Sequence, residues 1–374
     1  MHLTFILSSV LAGRAFANLQ NIDQNSDLEA YLIELDDGSR QWLDMNEIHQ
    51  LLASDEKFMD VTSHPDPIYP SSLAPVKFPS DLTQGDVFEK LVKHIDSSLL
   101  KTNLAQFSDF HTRFCRSELG LISSLWLYDL VEETGITHSD VFSVELFNHD
   151  LAQKSIIARF EGSVDPESIV IIGAHLDSIN LSDYYDGRAP GADDNGSGSV
   201  TILEVLRLLV MNKFKPRNTV EFHWYAAEEI GLIGSQDVFA AYHAAGKNVK
   251  AMIQQDMTGG TNRDRGVPDD FGLIEDFVDP ELTTFVKKVI DTYADIPWTS
   301  KTCGYACSDH ASAYKYGYPS SFIIEYGTSA AIPDPGPRVG HNELDTVDRI
   351  DFTHMVQHVK LTLGAALELG VTDF

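Results

Sequence analysis

A three-layer α/β sandwich, with a mixed, largely parallel central sheet and helices on both faces, is the fold this sequence predicts. Three observations carry the prediction. Short apolar runs alternate along the chain with stretches whose apolar residues recur every three or four positions, the signatures of strand and helix. The runs "SIVIIGAHLDS" and "VKAMIQQDM" read as strands buried on both faces, as parallel strands under crossover helices must be. Successive strands also end in imidazole or carboxylate residues, at the edge where open α/β sheets hold their ligands.

Taken in order, the first residues, "MHLTFILSSVLAGRAFA", have a short apolar run and a small-x-small end at Ala15-Phe16-Ala17, the pattern of a cleaved secretory signal over 1–17. The run is too short to span a bilayer. Residues 18–79 hold twelve acidic against three basic residues, a balance of −9, and end in the Pro- and Ser-rich "SHPDPIYPSSLAPVKFPS". Prolines fix the backbone and remove donors, so this end reads as a linker and the whole segment as a removable propeptide. The remaining 80–374 form the predicted main domain. Helical periodicity marks "KLVKHIDSSLL" and "ELGLISSLWLYDLVEETG", and strands follow at "SIIARFEG" and "SIVIIGAHLDS". A helix at "GSGSVTILEVLRLLVMN", a strand at "TVEFHWYAA", a helix at "SQDVFAAYHAAG" and the strand "VKAMIQQDM" continue the alternation. Helices around "PELTTFVKKVIDTYA" and "SDHASAYKYG", a strand at "SSFIIEY" and a final helix from Asp351 to about Leu369 complete it.

Composition narrows the function. The chain has 374 residues, 43% of them hydrophobic, and a formal net charge of −29. Such acidity argues against nucleic acid or an anionic membrane as partner. Nothing after the signal is long and apolar enough to cross a membrane, so a soluble, secreted, extracellular protein is expected, and we expect a monomer.

The strand ends carry the chemistry. After "IVIIGA" stand His175, Asp177 and Ser178; after "VEFHWYAA" stand Glu228 and Glu229; after "AMIQQ" stands Asp256. The Gly-rich "APGADDNGSGS" adds Asp193 and Asp194 just before a helix, and "GHNELDT" places His341 in a loop. Singly these are weak signals: a lone Glu-Glu is usually a solvated turn, and Asp193-Asp194-Asn195 suits a helix cap. Together, imidazole and carboxylate donors suit zinc, and their number is enough for two ions sharing a bridging carboxylate. Two metals ~3.5–4 Å apart can activate one water and polarise one carbonyl together.

The motifs "GAHLDS", "PGADDNGSG", "AAEEIGLIGS", "QQDMT", "TCGYACSDHAS" and "HNELDT" resemble, in the same order, the secreted leucyl aminopeptidases of the co-catalytic dizinc metallopeptidase family. The resemblance runs from about Phe107 to the C-terminus, and "KFMDVT" is similar to the propeptide of fungal members. It implies a hydrolase that removes leucine or another apolar residue from peptides or proteins with a free N-terminus, using two zinc ions per chain. It gives His175 and Asp256 to one metal, Glu229 and His341 to the other, and Asp194 to both. Asp177 would fix the tautomer of His175, and Glu228 would be the general base toward a water shared by the metals. The family often has one residue fewer than "GPRVGHNELDT" between its Pro-Arg pair and the last His.

The resemblance also implies a substrate pocket walled by Met257, Ile274, Tyr305, Phe322 and Ile324. It would accept an apolar side chain and desolvate a charged one without a partner. Tyr305 could donate to the oxyanion. Of the three cysteines, Cys303 and Cys307 flank "GYA". In a secreted protein they can form a local disulfide; CxxxC can also bind metal, but the proposed site already has its ligands. Cys115 is expected to be buried and free. His354 and His358 stand four apart on the final helix, but "HMVQH" lacks the Glu of HExxH, and both are read as helix-surface residues. Asn180 and Asn195 are formal glycosylation sequons; Asn195 is expected to be bare and Asn180 open to modification. Two competing readings keep the fold: a single-zinc glutaminyl cyclase, to be told apart by metal content, and a non-catalytic receptor-like domain, which would be expected to lose ligands or base.

Overall fold

In the computed structural model the protein is described over residues 30–54, 56–66, 75–138, 140–261, 268–326 and 340–374. The expected signal sequence, and residues 18–29, 55 and 67–74 of the expected propeptide, lie outside these. Most of the rest of that segment is folded. Three short strands, β1 (Tyr31–Leu35), β2 (Arg40–Leu43) and β3 (Phe58–Asp60), form an antiparallel sheet in the order β2-β1-β3. Helix α1 (Met45–Ala53) opens on a capping box: Asp44 accepts from Glu47 N at 2.9 Å, and Glu47 accepts from Asp44 N at 2.8 Å.

This small unit has no core of its own. Ile33, Leu43, Ile48 and Leu52 pack with Phe114, Ile179 and Ile230 of the larger domain, and Met59 and Val61 pack with Leu232 and Ala311. Each such buried side chain is worth ~1.5–3 kcal/mol relative to exposure, so docking supplies what the isolated sheet lacks. Composition alone read only the acidity; the alternation in "YLIEL" is too short to stand out.

Eight further strands make the central sheet: β4 (Phe142–Phe147), β5 (Ser155–Phe160), β6 (Asp165–His175), β7 (Asn218–Tyr225), β8 (Asn248–Gln255), β9 (Phe271–Ile274), β10 (Trp298–Lys301) and β11 (Ser320–Ile324), in the order β10-β9-β11-β8-β6-β7-β5-β4. Strand β6 runs parallel to both neighbours, β7 and β8; β11 is parallel to β8, and β9 to β10. The antiparallel pairs, β4–β5, β5–β7 and β9–β11, lie toward the edges. The sheet is therefore mixed with a parallel centre, as the sequence predicts; β4, β9 and β10 are too short or too polar to be read without it.

Strand alternation divides the core. Val170, Ile172 and Ala174 of β6 face a large cluster built with α2 (Gly85–Leu91), α3 (Ser97–Phe107), α4 (Glu118–Gly135), α5 (Gly198–Met211), α7 (Pro280–Tyr293) and α9 (Phe352–Val371). Ile169 and Ile171 face the opposite layer, with Phe239 of α6 (Ile233–Ala244) and Ala313 of α8 (His310–Lys315).

Two expectations need correction. "KLVKHIDSSLL" is not one helix: Asp96 accepts from Ser98 N and Leu99 N and so starts α3 afresh, because a carboxylate two and three residues ahead of free amides is worth more as a cap than inside a helix. His354 and His358 are not on the surface of α9. They are 1% and 0% exposed; His358 Nδ1 lies 2.7 Å from Gln255 Oε1, and its ring stands edge-on to Phe271. The final helix is buried nearly all round, so spacing alone could not tell its inner face from an outer one.

Candidate metal centre

The three central strands end side by side. In register His175 of β6 lies opposite Tyr225 of β7, and Gly173 opposite Gln254 of β8. The next residues of each chain segment therefore emerge at one edge. Sharp turns then aim them: Ala227, Met257 and His341 all have left-handed backbones, with φ of 54°, 55° and 61°. Non-glycine residues rarely adopt this region, and such outliers gather at functional sites. The turn after the glutamate pair closes when Gly231 N and Leu232 N donate to Glu228 O.

Two groups of donors result, His175 with Asp194 and Asp256, and Asp194 with Glu229 and His341, each with ligand-type atoms within 4.8 Å of one another. Asp194 belongs to both. Its Oδ1 lies 3.1 Å from His175 Nε2 and its Oδ2 lies 2.9 Å from His341 Nε2. Glu229 Oε2 is 3.0 Å from His341 Nε2, Asp256 Oδ1 is 3.4 Å from His175 Nε2, and Glu228 Oε2 stands farther off at 4.0 Å. His341, on the far side of the sheet-end cleft, is the open member, its side chain 32% exposed. The site residues read from the sequence thus converge, the extra residue before His341 notwithstanding.

The electrostatics of this arrangement call for cations. Burial disfavours charge on His175, yet Asp256 and Glu228 outweigh it and hold the imidazole's pKa well above its ordinary value. Burial likewise raises Asp194, but His341 and His175 overcome it and hold that carboxyl far below its usual range. Glu228 is raised well above the carboxylate range by burial, and Glu229 is raised to about 7 by burial against the pull of His341. Four carboxylates, two buried and two half-buried, within one cleft demand compensation by protons or by metal. His175 Nε2 and Glu229 Oε1 are buried without a hydrogen-bond partner, which is the condition of atoms made to face a metal. Mixed imidazole and carboxylate donors with one shared carboxylate fit a pair of zinc ions.

Supporting contacts fix these side chains. Asp177 Oδ1 lies 3.3 Å from His175 Nδ1, beside the imidazole but outside hydrogen-bond geometry. Its firm contacts are with the glutamate turn: Oδ1 accepts from Glu228 N at 3.1 Å and Oδ2 from Glu229 N at 3.2 Å. Three supports were not legible beforehand. Asp345, in "HNELDT", accepts from Asp193 N at 2.8 Å and Asp194 N at 3.0 Å. Ser308 donates to Asp256 Oδ2 at 2.6 Å. Buried Arg113 donates to the carbonyls of Leu176, Pro190 and Gly191. Asp193 turns away from the metal-type groups and accepts from Gly259 N at 2.8 Å.

Ile274 and Phe322 of the expected pocket are buried, and Met257, Tyr305 and Ile324 half-buried; Met257 follows β8, Phe322 and Ile324 lie on β11 beside it, Ile274 on β9 beyond β11, and Tyr305 after β10. Cys303 and Cys307 form a disulfide, and Tyr305 rides on the loop it closes. Cys115 is free and buried. Neither sequon offers an exposed amide. Asn195 is fully buried, donating to Gln255 O and accepting from Gly198 N and Met257 N. Asn180, 5% exposed, donates its Nδ2 to Arg188 O.

Residues 155–366 match the profile of peptidase family M28. The chain is 43% identical to leucine aminopeptidase 1 of Colletotrichum graminicola, over 100% of this chain and 94% of that one. It is 44% identical to leucine aminopeptidase 1 of Sclerotinia sclerotiorum, over 97% and 96%. The crystal structure of the Legionella pneumophila LapA aminopeptidase superposes with a TM-score of 0.77 at 27% identity, covering 88% of this chain and 90% of that one.

Proposed function

Because the chain belongs to peptidase family M28 and is a metallo-aminopeptidase, we propose that it is a secreted enzyme that takes two zinc ions and removes leucine or another apolar residue from the free N-terminus of peptides. His175, Asp194 and Asp256 would hold one ion, and Asp194, Glu229 and His341 the other. When bound, the pair supplies Lewis-acid polarisation of the scissile carbonyl and lowers the pKa of water. The observation that carries the reading is the divided carboxylate of Asp194, with one oxygen toward each histidine.

The remaining steps fall to the chain. Glu228 stands outside both donor groups, and its buried carboxyl holds a proton more readily than a free one. It takes the proton of the attacking water and returns it to the departing amine. Asp177 holds the Glu228 and Glu229 amides, so the base cannot drift from the ligand beside it. Burial and the neighbouring Glu228 raise the pKa of the Tyr305 phenol, so it stays protonated and can donate to the developing oxyanion. Met257, Ile274, Phe322 and Ile324 give the leaving residue an apolar surround. The α-amine is recognised by the carboxylates Glu228 and Asp256, which an acetylated N-terminus cannot satisfy.

The test is hydrolysis of leucyl-p-nitroanilide by purified protein, with a chelator, after zinc is restored, and against the N-acetyl analogue. Activity abolished by chelation, recovered at two zinc ions per chain and far lower on the acetylated compound is expected. One zinc at full activity, or equal rates on both compounds, would remove this reading.

A further inference from the structure

The segment from Cys303 to His310 carries Tyr305 near its start, and its two halves are held differently. The later half is anchored deep: Ser308 donates to Asp256 Oδ2 at 2.6 Å, Gln254 Nε2 donates to Asp309 Oδ2 at 2.9 Å, and Ser308, Asp309 and His310 are all buried. In the earlier half Thr302 and Gly304, on either side of Cys303, are exposed, and Gly304 has a left-handed backbone with φ 88°. The disulfide joins the ends of this loop to each other, not to the sheet. Glycine loses the most conformational freedom on ordering, so this half needs a tether. Asp276, two residues past β9, supplies it: its Oδ2 accepts from Cys303 N at 2.5 Å and from Gly304 N at 3.2 Å. Two successive amides turned to one anion form a nest, filled here by a carboxylate 27 and 28 positions away in the chain. The backbone carbonyl of Asp276 meanwhile accepts from His310 Nε2 at 3.1 Å, and the His310 ring lies 4.8 Å from that of Phe322 in the expected pocket wall. Asp276 thus grips the segment on both sides of Tyr305.

We infer that Asp276 is a positioning residue for the reaction proposed above: it fixes the amides that precede Tyr305 and so aims the phenol at the developing oxyanion. The inference rests on the aminopeptidase reading and adds to it the group that sets its oxyanion donor. Such donors act best when they need not reorganise as charge develops. A half-buried carboxylate suits that task, because its hydrogen bonds to amides are charge-assisted and partly shielded from water. Among the described residues the Asp276 carboxylate is hydrogen-bonded to this loop and not to its own turn. Because a single oxygen takes both bonds, an asparagine can do the same work and an alanine cannot.

The experiment compares the full chain as wild type, Asp276→Ala, Asp276→Asn, Tyr305→Phe and the Asp276→Ala/Tyr305→Phe double variant, each shown to be folded by circular dichroism. Leucyl-p-nitroanilide kinetics with zinc give kcat and KM. Thiol labelling of metal-free protein gives the rate at which dithiothreitol opens Cys303–Cys307. Losing an oxyanion donor typically costs ~10²–10³-fold in kcat, and Asp276→Ala, which keeps the hydroxyl but frees it, should lose ~10-fold. KM should stay within ~3-fold, as for an interaction made only in the transition state, and Asp276→Asn should stay within ~3-fold of wild type in kcat. In the Tyr305→Phe background Asp276→Ala should cost less than about twofold more, because two residues that act through one contact are not additive. Disulfide opening depends on access, and should be at least ~10-fold faster in Asp276→Ala but close to wild type in Asp276→Asn. Equal kcat in wild type and Asp276→Ala overturns the proposal, as does a loss that is undiminished when Tyr305 is already Phe. If the disulfide opens faster in Asp276→Ala while no form hydrolyses the anilide, the tether stands and the aminopeptidase reading falls.

Discussion

Replacing Asp345 by alanine tests how the bridging position is held. Its carboxylate accepts the amides of both Asp193 and Asp194, at 2.8 and 3.0 Å, and is buried. Removing it leaves two buried N–H groups without acceptors, at a cost of ~1–3 kcal/mol each, and water entering the vacated volume would recover part. The backbone bond from Ala192 N to Asp345 O survives, so the loop stays tethered while Asp194 loses its aim. Supports of metal ligands typically contribute ~10–100-fold in affinity. The metal-free variant should therefore unfold ~2–4 kcal/mol more easily in urea, and zinc affinity by chelator competition should fall ~10–100-fold. Asp345→Asn, which keeps one accepting oxygen, should lose less. Zinc binding within twofold of wild type together with an unchanged urea curve would refute the reasoning, because two orphaned amides cannot be silent.

Glu228→Gln should keep both metals while kcat falls ~10²–10⁴-fold, the usual worth of a general base; Glu229→Gln should lose zinc first, and metal analysis beside rates would expose a reversed pair. Burial lowers the pKa of His310 from 6.5 to about 4. The unfolded chain then binds the proton the folded chain refuses, so this stability is complete above pH 6.5 and is lost as pH falls toward 4. Between pH 7 and 5 the metal-free wild type should lose about 2 kcal/mol more than His310→Phe, at ~1.4 kcal/mol per pH unit, as read from urea titrations; parallel losses would sink the assignment. Arg113→Lys keeps the charge but not the planar fork, and should weaken zinc binding ~10-fold or more with little change in KM for metal-saturated enzyme.

The metal-type residues were legible because strands end where they end. A buried run followed by His175, Glu229 or Asp256 announces both the strand and its cargo, and the fold class follows from the same runs. What stayed hidden depends on distance in space. Asp345 and Asp194 lie 151 positions apart, and no spacing rule connects a loop aspartate to two amides so remote. Arg113 reads as a surface arginine until its carbonyl partners surround it. His354 and His358 were misread because α9 is apolar on nearly every side, leaving no polar face to contrast with a buried one. The N-terminal sheet escaped for the opposite reason: its strands are brief, and their stability lies in the surface they cover.

Arg113 has a consequence for the order of events in making the enzyme. Its guanidinium gathers carbonyls from the end of β6 and from the loop at Pro190 and Gly191, and its charge rests over the Phe107 ring at 4.2 Å. The chain thus carries its own permanent cation beside the place where others will be loaded. Loop ordering is completed by folding and need not be purchased from metal binding. Zinc bound as proposed would meet a berth already built, so its capture is expected to follow the speed of diffusion and desolvation rather than that of chain rearrangement.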